Sequence, residues 1–266
     1  MSIIMFHYVK SDFNYYHFDL KKFEEYVQAN RDRIVSLDNY LKSENKADKI
    51  VLTFDDGTID HYENVFPILK KYGVTGVFSV CDNVYNGTVL DIQKIHYLMS
   101  NIGIDKLFDD VCSVLHQSED ELISNYFTKE NTIKKLLQRD LDKLLAGKIL
   151  DKIVKKNNLK LDCSTIYMSP ENIKTMQSFG NEFVYHTANH CWLGSLDRIE
   201  QMREIQNVVK YVYTYGFKPY LTLPFGDYND YTIEILRDLG IDIVIGVNYT
   251  NSNNVLTRVD CSCINK

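Results

Sequence analysis

Short runs of Val, Ile, Leu and Phe recur along the chain, separated by longer stretches whose apolar residues keep helical spacing. Eight short runs read as strands: Ile3–Tyr8, Ile34–Leu37, Lys49–Phe54, Gly76–Val80, Glu182–Tyr185, Tyr220–Leu223, Ile241–Val247 and Val255–Val259. Continuous apolar runs of this length suit strands buried on both faces of a parallel sheet. Between them the pattern predicts helices. Asp19–Gln28 has Asp19 as its N-cap, and Tyr62–Tyr72 closes at Gly73. Another opens at Ser169-Pro170-Glu171, with Ser as cap and Pro in the first position. Leu196–Tyr215 ends at Gly216, and Asn229–Leu239 ends at Gly240. Repeated β-then-α order implies an α/β fold with right-handed crossovers, either closed into a barrel or open and doubly wound.

Residues 88–160 interrupt this alternation. They contain Ile92–Met99, Asp120–Tyr126, Asn131–Leu145 and Lys148–Lys156, all with helical spacing and many Lys, Asp and Glu. Neither edge carries a Pro/Gly/Ser linker, so the stretch reads as a helical insertion within one domain spanning 1–266. It is either an extended crossover packed on the barrel side or a lid or partner surface near the site.

Two strings carry chemistry. Thr53-Phe54-Asp55-Asp56-Gly57 ends the run Ile50-Val51-Leu52, so two carboxylates emerge together where a buried strand stops. Adjacent carboxylates resist joint ionisation unless a cation or hydrogen-bond donors stabilise them. His186-Thr187-Ala188-Asn189-His190 follows the run Phe183-Val184-Tyr185. One carboxylate and two imidazoles suffice for a three-ligand catalytic zinc site with an open position for water, and the other carboxylate is then free to act as a base. The histidines stand four apart, which puts both rings on one face if the segment is a helical turn. A third string, Pro224-Phe225-Gly226, ends another strand. In an α/β barrel the C-terminal strand ends gather the active site, and all three strings fall there.

In this order the three strings resemble the first three motifs of the polysaccharide deacetylases, the NodB-homology family related to carbohydrate esterase family 4. The likeness extends over Asp55 to Val80 and Met168 to Val247, and to Met5-Phe6-His7-Tyr8, leaving out about residues 88–160. It implies a distorted (β/α) barrel with fewer than eight strands. It also implies Asp56, His186 and His190 as ligands of one divalent metal, with Asp55 as general base. Zinc is the default for a mixed nitrogen and oxygen site, while cobalt, nickel or iron fit the same ligands. Pro224, Phe225 and Gly226 are expected to border the substrate, their turn amides near the developing oxyanion, with Tyr228 as a further contact.

The chain departs from the family in two places. The third motif often carries an Arg two residues before the Pro, which orients the catalytic Asp; here that position is Thr222. Arg258 either supplies the missing charge or pairs with Asp260, and Lys218 is a weaker substitute. Many members also place a His near the C-terminus as general acid, and nothing after His190 is a histidine. His7, at the end of the first strand, is the leading replacement, and His61 the second.

Composition bounds the function. A net charge of −6 argues against a general nucleic-acid-binding surface. No apolar run approaches the roughly 20 residues of a membrane span. MSIIMFHYVK lacks the basic start of a signal peptide, and the six cysteines form no CxxC pair, which together read as a cytoplasmic protein with reduced thiols. The expected activity is metal-dependent removal of an acetyl group from an N-acetylated sugar or glycan precursor. The alternatives are a sugar O-acetyl esterase, another small-amide hydrolase, or a non-catalytic carbohydrate-binding protein on the same fold. Oligomeric state is not legible.

Overall fold

The computed structural model describes residues 3–10, 17–247 and 255–265. These fall into two compact units, one of residues 3–10, 17–86, 164–247 and 255–265, the other Gly87–Cys163.

The first unit is a closed, all-parallel barrel of seven strands. They are β1 (Ile3–Phe6), β2 (Val51–Phe54), β3 (Val77–Val80), β4 (Glu182–Tyr185), β5 (Tyr220–Thr222), β6 (Ile243–Val247) and β7 (Val255–Asp260). Closure comes from β1, which pairs with β2 along its length and with β7 through Ile4↔Val259 and Met5↔Asp260. This rules out the open doubly wound sheet.

The eighth predicted strand is corrected. Ile34 makes one isolated parallel bridge to Ile50 and the chain then turns helical. Ser36 is the cause: its hydroxyl accepts the Asn39 N–H and starts the helix Leu37–Lys42. Leu196–Tyr215 is two helices, Arg198–Ile205 and Val208–Tyr215, with Asn207 between them donating to the Asp82 carboxylate. The caps at Asp19, Ser169 and Gly73 stand where the sequence places them.

Strand alternation sorts the barrel into two chemical faces. Phe6, Phe54, Phe78 and Phe183 lie in register on four neighbouring strands and stack in sequence, with ring centroids 4.8–5.4 Å apart. They pack with Phe23 and Val27 of the helix Leu20–Asn30. Val51, Val77, Val184 and Ile245 form a second apolar cluster, with Leu37 and Tyr40. Two residues further along, the same strand faces carry Thr53, Ser79 and His186. An apolar floor thus gives way to polar groups toward the C-terminal mouth.

At the opposite end Glu182, which opens β4, accepts the Leu37 N–H at 2.6 Å and the Asp38 N–H at 3.2 Å. A buried carboxylate thereby satisfies the start of the helix Leu37–Lys42. Glu182→Ala is expected to lower unfolding free energy by about 1–3 kcal/mol, read as a lower urea midpoint.

The second unit is helical throughout, as expected of residues 88–160. It contains Asp91–Ile102, Ile104–Leu115, Glu119–Tyr126, Lys129–Lys135 and Lys143–Lys156 around a core that includes Ile95, Leu98, Phe108, Ile133 and Leu150. The predicted helix Asn131–Leu145 is interrupted, because Leu141 is extended and Asp142 caps the next helix through the Leu145 N–H. Among the described residues no helix is long and apolar enough to cross a membrane.

Candidate active site at the mouth of the barrel

Asp55 and Asp56 follow β2 and are buried, at 2% and 1% exposure. Asp56 has a left-handed backbone (φ 75°), and so has Gly57 (φ 67°). A non-glycine residue in that region is strained, and the bend turns the two neighbouring carboxylates to different partners.

Asp55 faces Arg258 of β7. Arg258 Nη1 donates to Asp55 Oδ1 at 2.7 Å and Nη2 to Oδ2 at 2.8 Å, a two-pronged pair. The guanidinium is itself buried and also donates to Gly246 O and Thr53 Oγ1, both at 3.1 Å. Ser79 adds a hydroxyl to Asp55 Oδ1 at 3.0 Å and meets Thr222 Oγ1 at 2.8 Å. Of the two partners open to Arg258, the structure gives Asp55; Asp260 accepts the Ser262 N–H instead. Lys218 lies ahead of β5, at the end away from Pro224, engaged with Asp38 and 3.8 Å from Glu182. Burial alone pushes the Asp55 carboxyl up, but the Arg258 charge and the nearby imidazoles reverse this and hold it well below the usual carboxylate range.

Asp56 faces the histidines. Its Oδ1 is 3.5 Å from His186 Nε2 and 3.3 Å from His190 Nε2, and the two rings meet edge-to-face at 4.8 Å. The ligand atoms of the three residues all lie within 4.8 Å of one another, and the three residues are buried. His186 Nδ1 lies 2.9 Å from Thr222 O, so that nitrogen carries the proton and Nε2 is left with its lone pair. Among the described residues Nε2 is buried without a hydrogen-bond partner. An imidazole fixed in this tautomer, its free lone pair aimed at a carboxylate and a second imidazole, fits a divalent cation. Burial pushes His190 down to about 4, against the pull of Asp56. His186 is held above its usual value, the Asp56 and Asp55 carboxylates outweighing burial.

The condition for a shared helix face at 186–190 is not met. Thr187 and His190 both have left-handed backbones (φ 65° and 57°), so the rings converge through a tight non-helical turn rather than along one helix face.

Pro224-Phe225-Gly226 forms a turn after β5, with Phe225 at φ 57°. Phe225 stacks flat on Trp192 at 4.3 Å and meets the His190 ring at 4.7 Å. The Gly226 and Asp227 amides donate back into the turn, to Leu223 O and Pro224 O. They are therefore not turned to an oxyanion. Tyr228 is half-buried against the barrel core. A Cβ on Gly226 would lie 2.4 Å from Val247 Cγ2, at a φ of +68°. Gly226→Ala is expected to destabilise by roughly 1–3 kcal/mol, measured as a lower thermal midpoint.

His7 follows β1, is half-buried, and is an electrostatic neighbour of Asp55, Asp56 and His190. His61 is fully buried and turned to the backbone, with Nε2 2.6 Å from His7 O. Sequence reasoning missed the contacts made by Ser79, Thr53 and Thr222. Their signal was a hydroxyl residue inside an otherwise apolar strand.

A family model described as polysaccharide deacetylase matches residues 42–104 and 127–244. No curated protein matches the chain. The fold is similar to that of the Streptococcus pyogenes deacetylase PplD in complex with acetate, at 18% identity and a TM-score of 0.59, covering 98% of this chain and 91% of that one. IcaB from Ammonifex degensii gives 17% and 0.57, covering 97% and 90%. The BpsB deacetylase domain from Bordetella bronchiseptica gives 13% and 0.59, covering 97% and 94%.

Proposed function

The chain belongs to the polysaccharide deacetylase family, and from that premise we propose that it hydrolyses the acetyl group from an N-acetylated sugar or glycan precursor, with one divalent metal, zinc by default. The observation that carries this reading is the division of labour between neighbouring carboxylates: Asp56 meets two imidazoles, and Asp55 meets a guanidinium. The same proposal includes a cytoplasmic location, in keeping with six cysteines held as thiols.

Asp56, His186 and His190 hold the metal, which when bound supplies a Lewis acid and an acidified water. Asp55 takes the proton from the attacking water. Arg258 keeps Asp55 ionised and fixes both its oxygens, so its role depends more on placement than on basicity. His7 gives a proton to the departing amine. Phe225, with Pro224 and Gly226 shaping its turn, and Tyr228 border the bound sugar.

Acetate release by metal-analysed protein across N-acetyl and O-acetyl sugars tests the reading. Release from N-acetyl sugars that chelator abolishes is the expected result. Sugar binding with no release from any substrate would favour the non-catalytic alternative. His7→Ala is expected to lower amide cleavage about 10²–10⁴-fold while sparing an aryl acetate, whose phenolate leaves without a proton. Equal losses on both substrates would remove His7 from the acid role.

The acidic limb of activity follows the metal. Asp55 stays ionised well below the usual carboxylate range, so it does not titrate there. Histidine ligands bind metal only when neutral, so protons and metal compete. Raising the metal concentration is expected to move the acidic limb of kcat/KM to lower pH. A limb that ignores metal concentration would point to another titrating group.

A further inference from the structure

The two ligand histidines are oriented by different means. His186 is fixed by a ring hydrogen bond to Thr222 O. His190 has no counterpart: its Nδ1 is buried without a hydrogen-bond partner among the described residues, and its neighbour Phe225 offers a ring contact. The placement of His190 therefore follows from the main chain that carries it. That main chain is left-handed at Thr187 and His190, an arrangement that persists only where the surroundings hold it.

Glu204, buried on the helix Arg198–Ile205, supplies the hold. Its Oε2 accepts the Asn189 N–H at 2.8 Å, and its Oε1 accepts Asn189 Nδ2–H at 2.7 Å. Its backbone oxygen accepts the Ala188 N–H at 2.9 Å. From the other side the Asn83 N–H donates to Ala188 O at 3.0 Å, and the Asn83 side chain donates to Asn189 Oδ1. The Asp82 N–H reaches Thr187 O at 3.2 Å. Asn189, central to the HTANH string yet with no role in the chemistry above, is the point where both grips meet.

We propose that Glu204 is the positioning residue for His190, clamping Ala188 and Asn189 so that the His190 ring meets Asp56 at ligand distance. The inference rests on the reading of Asp56, His186 and His190 as a metal site. Bonds to a carboxylate are the strong ones among hydrogen bonds, and outer-shell partners of this kind govern metal affinity. In Glu204→Gln one acceptor becomes an NH₂ facing a donor of Asn189, so the clamp opens with little change in volume.

Co²⁺ is the probe, with its Kd read by chelator competition and its coordination by visible absorption. Glu204→Gln and Asn189→Ala are each expected to raise the Kd about 10- to 100-fold and to alter the absorption band. The double variant is expected to do no worse than the more damaging single one, because both open the same clamp. Glu182→Gln, at the other end of the barrel, is expected to lower the thermal midpoint and leave the Kd unchanged, separating positioning from general loss of stability. A Kd within twofold of the parent in Glu204→Gln, or in Asn189→Ala should the first variant not fold, overturns the proposal. Failure of the parent protein to bind Co²⁺ overturns the metal-site reading and this proposal with it.

Discussion

Asp55→Asn is expected to lower kcat by about 10²–10⁴-fold while leaving the metal content of the protein unchanged. The amide keeps the shape of the carboxylate but cannot accept a proton from water. The metal content is spared because the proposed ligands are Asp56, His186 and His190, whereas Asp55 is bonded to Arg258 and Ser79. The same change removes the counter-charge of a buried guanidinium. Leaving a buried ion unpaired costs about 3–5 kcal/mol, so the thermal midpoint should fall alongside kcat. Acetate release, metal analysis and a melting curve on one preparation check all three. Metal loss in Asp55→Asn would mean that the two carboxylates have been assigned the wrong way round.

Arg258→Met is expected to damage the protein from the other side of the pair, by a similar 3–5 kcal/mol. Asp55 then keeps its burial and loses its main cation, so its carboxyl rises instead of falling. The sign of the pH dependence follows. In the parent the Asp55 carboxyl lies below its unfolded value near 3.9, so the stability from the pair is present above that pH and lost as pH falls through the folded value. In Arg258→Met that contribution is gone. The gap in unfolding free energy between parent and variant should be widest near neutrality and close on acidification. Denaturant melts at several pH values check this, and a gap constant with pH would mean that Arg258 acts by packing alone. Replacing both partners, Arg258→Met with Asp55→Leu, should recover part of the stability and none of the activity, since no buried charge is then left alone.

The sequence by itself showed an α/β alternation and the polar strings at its strand ends, and the family resemblance narrowed that alternation to a barrel. Parallel strands buried on both faces tend to be continuous apolar runs, so strands such as β2 and β3 were visible as such, and the chemistry at their ends was visible as the polar residues that stop them. Asp55-Asp56 and the two histidines are local strings, and a local string survives any arrangement of the rest of the chain. The eighth run at Ile34–Leu37 misled because an apolar run carries no record of whether a neighbouring strand will pair with it.

Tertiary structure alone decided what those groups touch. Arg258 lies on the last strand and Asp55 follows the second, and only closure of β1 against both β2 and β7 brings guanidinium and carboxylate within 2.7 Å. The linear sequence could not choose between Asp55 and Asp260 for Arg258, because Asp260 is the nearer in chain and Asp55 the nearer in space. The conformation of the turn at 186–190 was left open for a related reason. Four-residue spacing suits a helix, but Thr187 and His190 take left-handed backbones under the hold of Glu204, Asp82 and Asn83, three residues distant in sequence whose hydrogen bonds exist only once the barrel has closed. Residue type and strand ends are local and can be read in order. Partnership, charge balance and backbone strain depend on contacts between remote segments, and those belong to the fold.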